Sequence, residues 1–204
     1  MKRKMTLLLI MLLSIALILV GCGAGDSDDQ EATDAEESDT FVIGLECAYA
    51  PFNWTQNDDS NGGVKIAGAA EYAGGYDVEI AKMIAEGLGK ELVVEKIEWD
   101  GLVPALTSGK IDGIIAGMSP TAERKETIDF SDIYYKSDLV MVVKKGGEYE
   151  DATSIQDFSG AKITAQLNTF HYTVIDQIKD VDKQTAMDNF SAMRVALESG
   201  VIDG

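Results

Sequence analysis

Sulfur and imidazole chemistry are almost missing from this chain. It has two cysteines, Cys22 and Cys47, and one histidine, His171. If Cys22 is consumed as argued below, Cys47 stands alone and no intramolecular disulfide can form. So small a set also leaves no Cys/His metal centre, and no cofactor is expected. Any Ser–His–Asp or Cys–His catalysis would have to use His171. Positive charge is scarce too. Against 35 Asp and Glu stand 17 Lys and Arg, for a formal net charge of −18. Such an acidic surface repels phosphate backbones and argues against nucleic acid as a partner. The longest apolar run, 5–20, is broken only by Thr6 and Ser14. Its 16 residues fall short of the roughly 20 that a membrane-spanning helix needs.

What is present at that end fits an export signal. Lys2, Arg3 and Lys4 precede the apolar run, the charge order of a secretory leader. The run ends in Leu19-Val20-Gly21-Cys22, which resembles the bacterial lipobox. That resemblance implies cleavage before Cys22 and diacylglycerol on its thiol; the alternative is an uncleaved anchor with an incidental cysteine. Residues 23–40 carry Asp26, Asp28, Asp29, Glu31, Asp34, Glu36, Glu37 and Asp39 and no basic residue. With no apolar periodicity to bury, they are expected to form an extended, self-repelling tether holding a domain off a membrane. Loss of the three leader cations takes the formal charge from −18 to −21.

Beyond the tether, strand and helix signals alternate. Phe41-Val42-Ile43-Gly44-Leu45 reads as a strand. Residues 76–89 carry Val78, Ala81, Ile84, Ala85 and Leu88 at helical spacing. A second strand is expected over 92–97, a short helix over 102–108 stopped by Gly109, and a third strand over 111–117. Strands separated by helices of this length indicate a parallel sheet of βαβ units. Leu139-Val140-Met141-Val142-Val143 has no polar break and reads as a buried strand or a crossover. The rhythm then restarts: strand 161–166, helix 169–178, and an amphipathic helix 188–198 with Met193, Ala196 and Leu197 inward.

The restart is literal in one place. ALTSGKIDG at 105–113 returns as ALESGVIDG at 196–204, with seven of nine positions identical. One explanation is chance similarity between helix ends, since Ser-Gly is a common helix stop. The other is two similarly built lobes, with the chain ending part-way through the second. The expected α/β architecture is therefore a first lobe over 41–137 and an incomplete second lobe over 138–204. A cleft between such lobes is where small ligands bind.

The strongest site signal is Gly117-Met118-Ser119-Pro120-Thr121-Ala122-Glu123-Arg124. It follows a strand, so it lies at the carboxyl edge of a parallel sheet, where open α/β folds take ligands. Ser119 before Pro120 reads as an N-cap with proline at the first helical position, and Arg124 one turn on offers a fork for a carboxylate. The competing reading is a capped surface helix with Arg124 paired to Glu123 or Glu126. Tyr49, Phe52, Trp54 and Trp99 follow the first two strands. They are either aromatic walls of the same site or core, the latter being the stronger reading for Phe52 and Trp54.

Taken in order, Tyr49-Ala50-Pro51-Phe52, Gly75-Tyr76-Asp77-Val78-Glu79, Trp99-Asp100-Gly101-Leu102, the 115–124 segment, Asp129-Phe130-Ser131 and Tyr134-Tyr135 resemble the family 3 solute-binding proteins of amino-acid ABC importers. The resemblance covers about 41–204. It implies a two-lobed type II periplasmic-binding-protein fold, extracytoplasmic capture of a free amino acid, delivery to ABC permease subunits, a monomer, and no enzymatic activity. It also implies roles. Arg124 would grip the ligand α-carboxylate, with Ser119 as hydroxyl and amide partner. Ala116 and Gly117 would help bind the α-amino group, and Tyr49 and Trp99 would flank the ligand side chain. Glu46 would read a distal cation, favouring a polar or cationic amino acid, and Thr169 in the loop Gln166-Leu167-Asn168-Thr169 would close over the carboxylate. Two departures stand out: Asn168 where glycine is usual, and Phe170 where a second Thr or Ser is common. The same fold also carries dehydratases and lytic transglycosylase relatives, for which Glu46 is the obvious acid without an evident partner base. A chemosensory binding protein would look identical in sequence.

Overall fold

The computed structural model describes residues 39–204. The leader, the lipobox with Cys22 and nearly all of the acidic tether lie outside the described residues.

The chain enters through strand β1 (Thr40–Leu45). Three short antiparallel strands follow, with a fourth completing a small sheet: β2 (Ala48–Tyr49), β3 (Asn53–Gln56), β4 (Val64–Lys65) and β5 (Tyr72–Gly74), ordered β2-β3-β5-β4. Helix α1 (Tyr76–Leu88) leads to strand β6 (Glu91–Lys96), helix α2 (Trp99–Thr107) and strand β7 (Gly113–Ile114). The parallel sheet runs β6-β1-β7, with Ile43 opposite Val94 on one side and Gly113 on the other. Ile43, Leu45, Val78, Ala81, Val94 and Leu102 are fully buried between sheet and helices. This is the βαβ arrangement that the alternating pattern predicts.

Two details of the pattern differ. In α1, Val78, Ala81 and Ala85 face the sheet, whereas Ile84 and Leu88 stay exposed. Ile84 sits at the margin of the apolar stripe and Leu88 in the last turn, so neither reaches the sheet surface. The third strand is only two paired residues long, because beyond Ile114 the chain leaves the ladder to form the site loop.

The second lobe is built more sparingly. After helix α3 (Ala122–Lys125), a short 3-10 turn at Ile155–Phe158 precedes β8 (Lys162–Ile163). Helix α4 (Phe170–Val174), strand β9 (Asp182–Lys183) and helix α5 (Phe190–Ser199) complete it. Phe158, Ala161, Ile163, Ile175 and Ile178 form its buried centre. The run at 139–143, read as either a buried strand or a crossover, does not form the buried strand. It has no ladder partner among the described residues. Met141 and Val143 turn toward this second core, while Leu139, Val140 and Val142 face outward. An unbroken apolar run thus hides a period-two pattern with only one side covered.

The repeated nonapeptide does the same job twice. Each copy ends a helix at a left-handed glycine, Gly109 (φ 73°) or Gly200 (φ 76°). The next amide, Lys110 or Val201, donates back to Ala105 or Ala196 at 2.9 Å in both cases. Asp112 then donates its amide to the Val42 carbonyl and accepts the Val42 amide on its carboxylate, at 2.7 and 2.8 Å. Asp203 makes the same pair with Lys162, both at 2.8 Å. The aspartate is a plug that satisfies both backbone groups of the neighbouring strand start, where a ladder partner is missing. Two lobes of one design, rather than coincident helix ends, account for this.

Candidate functional site

The carboxyl ends of β1, β6 and β7 face the second lobe, and the site residues gather there. A cavity of about 30 Å³ is lined by Glu46, Tyr49, Trp99, Ala116, Gly117 and Ser119 from the first lobe. Gln166, Thr169, Phe170, His171 and Phe190 line it from the second. Arg124 completes the group from above. Its guanidinium carbon lies 5.2 Å from the centre of the Trp99 ring, within cation–π range. One arm donates to the Ser119 carbonyl at 3.0 Å and the other to the Asn168 carbonyl at 3.1 Å. Seven of the eight residues expected from sequence therefore line one cavity, drawn from stretches more than a hundred positions apart, and Arg124 adjoins it through Ser119 and the Trp99 ring.

The local design around Arg124 differs from expectation. The helix cap is Thr121, not Ser119: the Thr121 hydroxyl accepts the Arg124 amide at 3.3 Å, and α3 has only four residues. Ser119 and Pro120 lie before the helix in a tight turn, with the Thr121 amide donating to the Ser119 carbonyl at 2.9 Å. So short a helix supplies little dipole, and anion affinity here must come from the guanidinium itself. Nor is Arg124 spent on a surface pair, since no described carboxylate lies within ion-pair distance of it and its fork is turned onto backbone carbonyls instead.

The profile of the bacterial extracellular solute-binding proteins, family 3, matches this chain over residues 41–192. The chain belongs to that family. Among curated relatives, the arginine-binding extracellular protein ArtP of Bacillus subtilis is 32% identical over 128 residues, covering 63% of this chain and 44% of that protein. A probable histidine-binding protein of Campylobacter jejuni is 32% identical over 172 residues, 84% of this chain and 61% of that protein. A solved structure of an ancestral arginine-binding protein bound to glutamine superposes with a TM-score of 0.69 at 35% identity, covering 82% of this chain and 68% of that one. The chain thus spans about half the length of the curated relatives it matches.

Within this family 3 chain the electrostatics are sharply local. Glu46 is buried, and burial pushes its carboxyl up to about 7, with Glu98 and Asp100 adding like charge; the Gln166 amide, donating to it at 2.7 Å, works the other way. His171 is pushed below the ordinary imidazole range by burial and by Arg124. Cys47 is buried, and its thiol is pushed up to about 12 mainly by burial, so it carries no thiolate at neutral pH. Thr169 donates its hydroxyl to the Gln166 carbonyl at 2.7 Å, bracing its own loop.

Three groups at the site escaped sequence reading. Phe190 stacks on Tyr49 with ring centres 4.4 Å apart, joining the two lobes. Its signal was available: Asn189 is an N-cap, accepting the Ala192 amide at 3.0 Å, so the residue after it starts a helix at a loop edge. Gln166 reaches across to Glu46. The third is a chain of polar contacts that runs from the buried core out to an exposed tyrosine. Cys47 donates its amide to the Asn53 side chain, and Asn53 donates to Asp77 at 2.8 Å. Tyr134 donates its hydroxyl to Asp77 and accepts the Gly117 amide. Gly117 itself sits at φ 63°, with Tyr49 packed against the place where a side chain would begin. Phe52 stacks beside Tyr49 and edges onto Tyr76 and Tyr135, so it is a packing residue, as its position suggested.

Proposed function

We propose that this protein captures a free amino acid in the cleft between its lobes and hands it to an ABC importer. The observation that supports this most is the Arg124 fork, poised over Trp99 beside a small cavity and hydrogen-bonded to two carbonyls that a carboxylate can displace. Arg124 grips the α-carboxylate, with Ser119 beside it. The backbone at Ala116 and Gly117 addresses the α-amino group, Tyr49 and Trp99 sandwich the side chain, and Thr169 braces the lid. Glu46 and Gln166, hydrogen-bonded across the far wall, read a polar or cationic end. A cavity of about 30 Å³ holds little more than one water, so an amino acid enters with the lobes apart and is enclosed as they close. Titration calorimetry of the full-length protein against the twenty amino acids is expected to show binding concentrated in arginine, histidine, lysine or glutamine. Heats confined to acidic or aliphatic amino acids would contradict the assignment of Glu46, and none at all would contradict the assignment of the cleft.

We also propose, from the resemblance of Leu19-Val20-Gly21-Cys22 to a lipobox, that this domain, divided into lobes 41–137 and 138–204, sits outside the cytoplasm on a lipid anchor at Cys22. Two acyl chains on Cys22 give stable attachment where one is marginal. Cys22→Ser is expected to abolish labelled-fatty-acid incorporation and release the protein from membranes; label still entering the variant would sink the assignment.

A further inference from the structure

The loop that carries Thr169 over the cleft is fastened to the first lobe through one residue. Asn168 holds a left-handed backbone conformation, φ 54°, which asparagine tolerates better than most residues. That conformation turns both of its polar groups toward the opposite lobe. Its carbonyl accepts two donors at once: the Arg124 guanidinium at 3.1 Å and the Trp99 indole N–H at 3.4 Å. Its side-chain amide donates to the Asp100 carboxylate at 2.9 Å. Behind it, the Leu167 amide donates to the Met187 carbonyl at 2.9 Å, tying the loop into its own lobe. Asn168 therefore bridges the two lobes, and it does so at the group assigned to the ligand.

We infer that Asn168 is a positioning residue that latches the lid loop onto the Trp99–Asp100 turn and holds the Arg124 fork in its ligand-gripping orientation. The inference deepens the reading above, since the guanidinium it positions is the one assigned to the α-carboxylate. The two halves of the contact have different fates. An incoming carboxylate replaces the Asn168 carbonyl on one arm of Arg124, because a charge-assisted pair outcompetes a neutral acceptor. The amide contact with Asp100 points away from the fork and persists with the ligand enclosed. The carbonyl is thus a placeholder and the amide a fastener.

The test uses the protein without ligand and reads Trp99 by difference. Of this chain's two tryptophans, Trp54 and Trp99, Trp54→Phe removes one, and the spectral change that a second substitution then makes reports on Trp99. In that background Asn168→Gly keeps the left-handed backbone accessible and removes only the side-chain amide. The expected result is a red shift of Trp99 emission and easier quenching by acrylamide, with the thermal midpoint little changed. Asp100→Ala should produce the same shift, and the double variant no further shift, because donor and acceptor serve one contact. Unchanged emission in Asn168→Gly, or additive shifts in the double variant, would overturn the latch. With L-arginine as ligand, Asn168→Gly should dissociate several-fold faster, since the persisting hydrogen bond contributes to closure. The latch and the carboxylate reading fail separately. Arg124→Ala with unaltered L-arginine affinity would refute the carboxylate role while leaving the Asn168 shift in place, whereas a missing shift beside normal Arg124 behaviour would refute the latch alone.

Discussion

Arg124→Ala in the full-length protein is expected to weaken amino-acid binding by at least tenfold and up to about a hundredfold, while the empty protein melts at nearly its original temperature. The magnitude follows from the loss of a charge-assisted pair, about 1.5–3 kcal/mol. The stability expectation follows from where the side chain sits. Arg124 is half-buried and spends its fork on two carbonyls, Ser119 and Asn168, each of which can turn to water instead. Burial lowers its pKa somewhat, with Glu123 pulling the other way, but an arginine stays charged through any such shift. Arg124→Lys should restore little, because an ammonium cannot present two parallel N–H groups or stack as a planar cation on Trp99, whose ring centre lies 5.2 Å from the guanidinium carbon. Isothermal titration with the best ligand from the amino-acid panel measures both. Equal affinity in wild type and Arg124→Ala would mean that the fork is structural and the carboxylate is held elsewhere.

The parts of this site that were legible in sequence share a cause. Trp99, Ala116 and Gly117 come within a few residues of the ends of β6 and β7, and Tyr49 follows β1 in the short strand β2; a parallel sheet sends all such ends to one edge. Once β1, β6 and β7 were read from their apolar runs, their loops had to converge. The nonapeptide repeat was equally informative, because Asp112 and Asp203 each solve the same backbone problem at a strand start. What was not legible depends on distances the chain does not encode locally. Ser119-Pro120 looks like a helix start in isolation, yet the cap falls on Thr121, where the hydroxyl can reach the Arg124 amide. The run at 139–143 shows no alternation in residue type, yet only Met141 and Val143 find a core to cover them. Gln166, Asn168 and Phe190 matter because the second lobe sits against the first, and no periodicity within either lobe announces that contact.

Glu46 should make the binding of a cationic amino acid depend on pH between mildly acid and neutral conditions. Its carboxyl is held near 7 by burial first, with Glu98 and Asp100 adding to the effect and the Gln166 amide and the Trp99 backbone opposing it. In the empty protein it is therefore largely protonated at mildly acid pH, and a cationic ligand must expel that proton. Affinity for L-arginine is expected to rise by about 20-fold between roughly pH 5.5 and pH 7.5 and then level off, the increment that linkage gives for a group at 7 whose proton leaves on binding. Stability of the empty protein should move oppositely. A carboxyl raised from 4.5 to about 7 contributes stability that is fully present below its unfolded value and is lost as pH rises through the folded one. Glu46→Gln should flatten both profiles at once, read by titration calorimetry and by urea melts over the same pH series. His171 lines the same cavity but is pushed below the ordinary imidazole range by burial and Arg124, so its own titration lies toward the acid end. A slope in L-arginine affinity that survives Glu46→Gln would assign the proton to His171 and remove Glu46 from the distal end of the site. A slope that vanishes together with the pH dependence of stability ties both effects to one buried carboxyl.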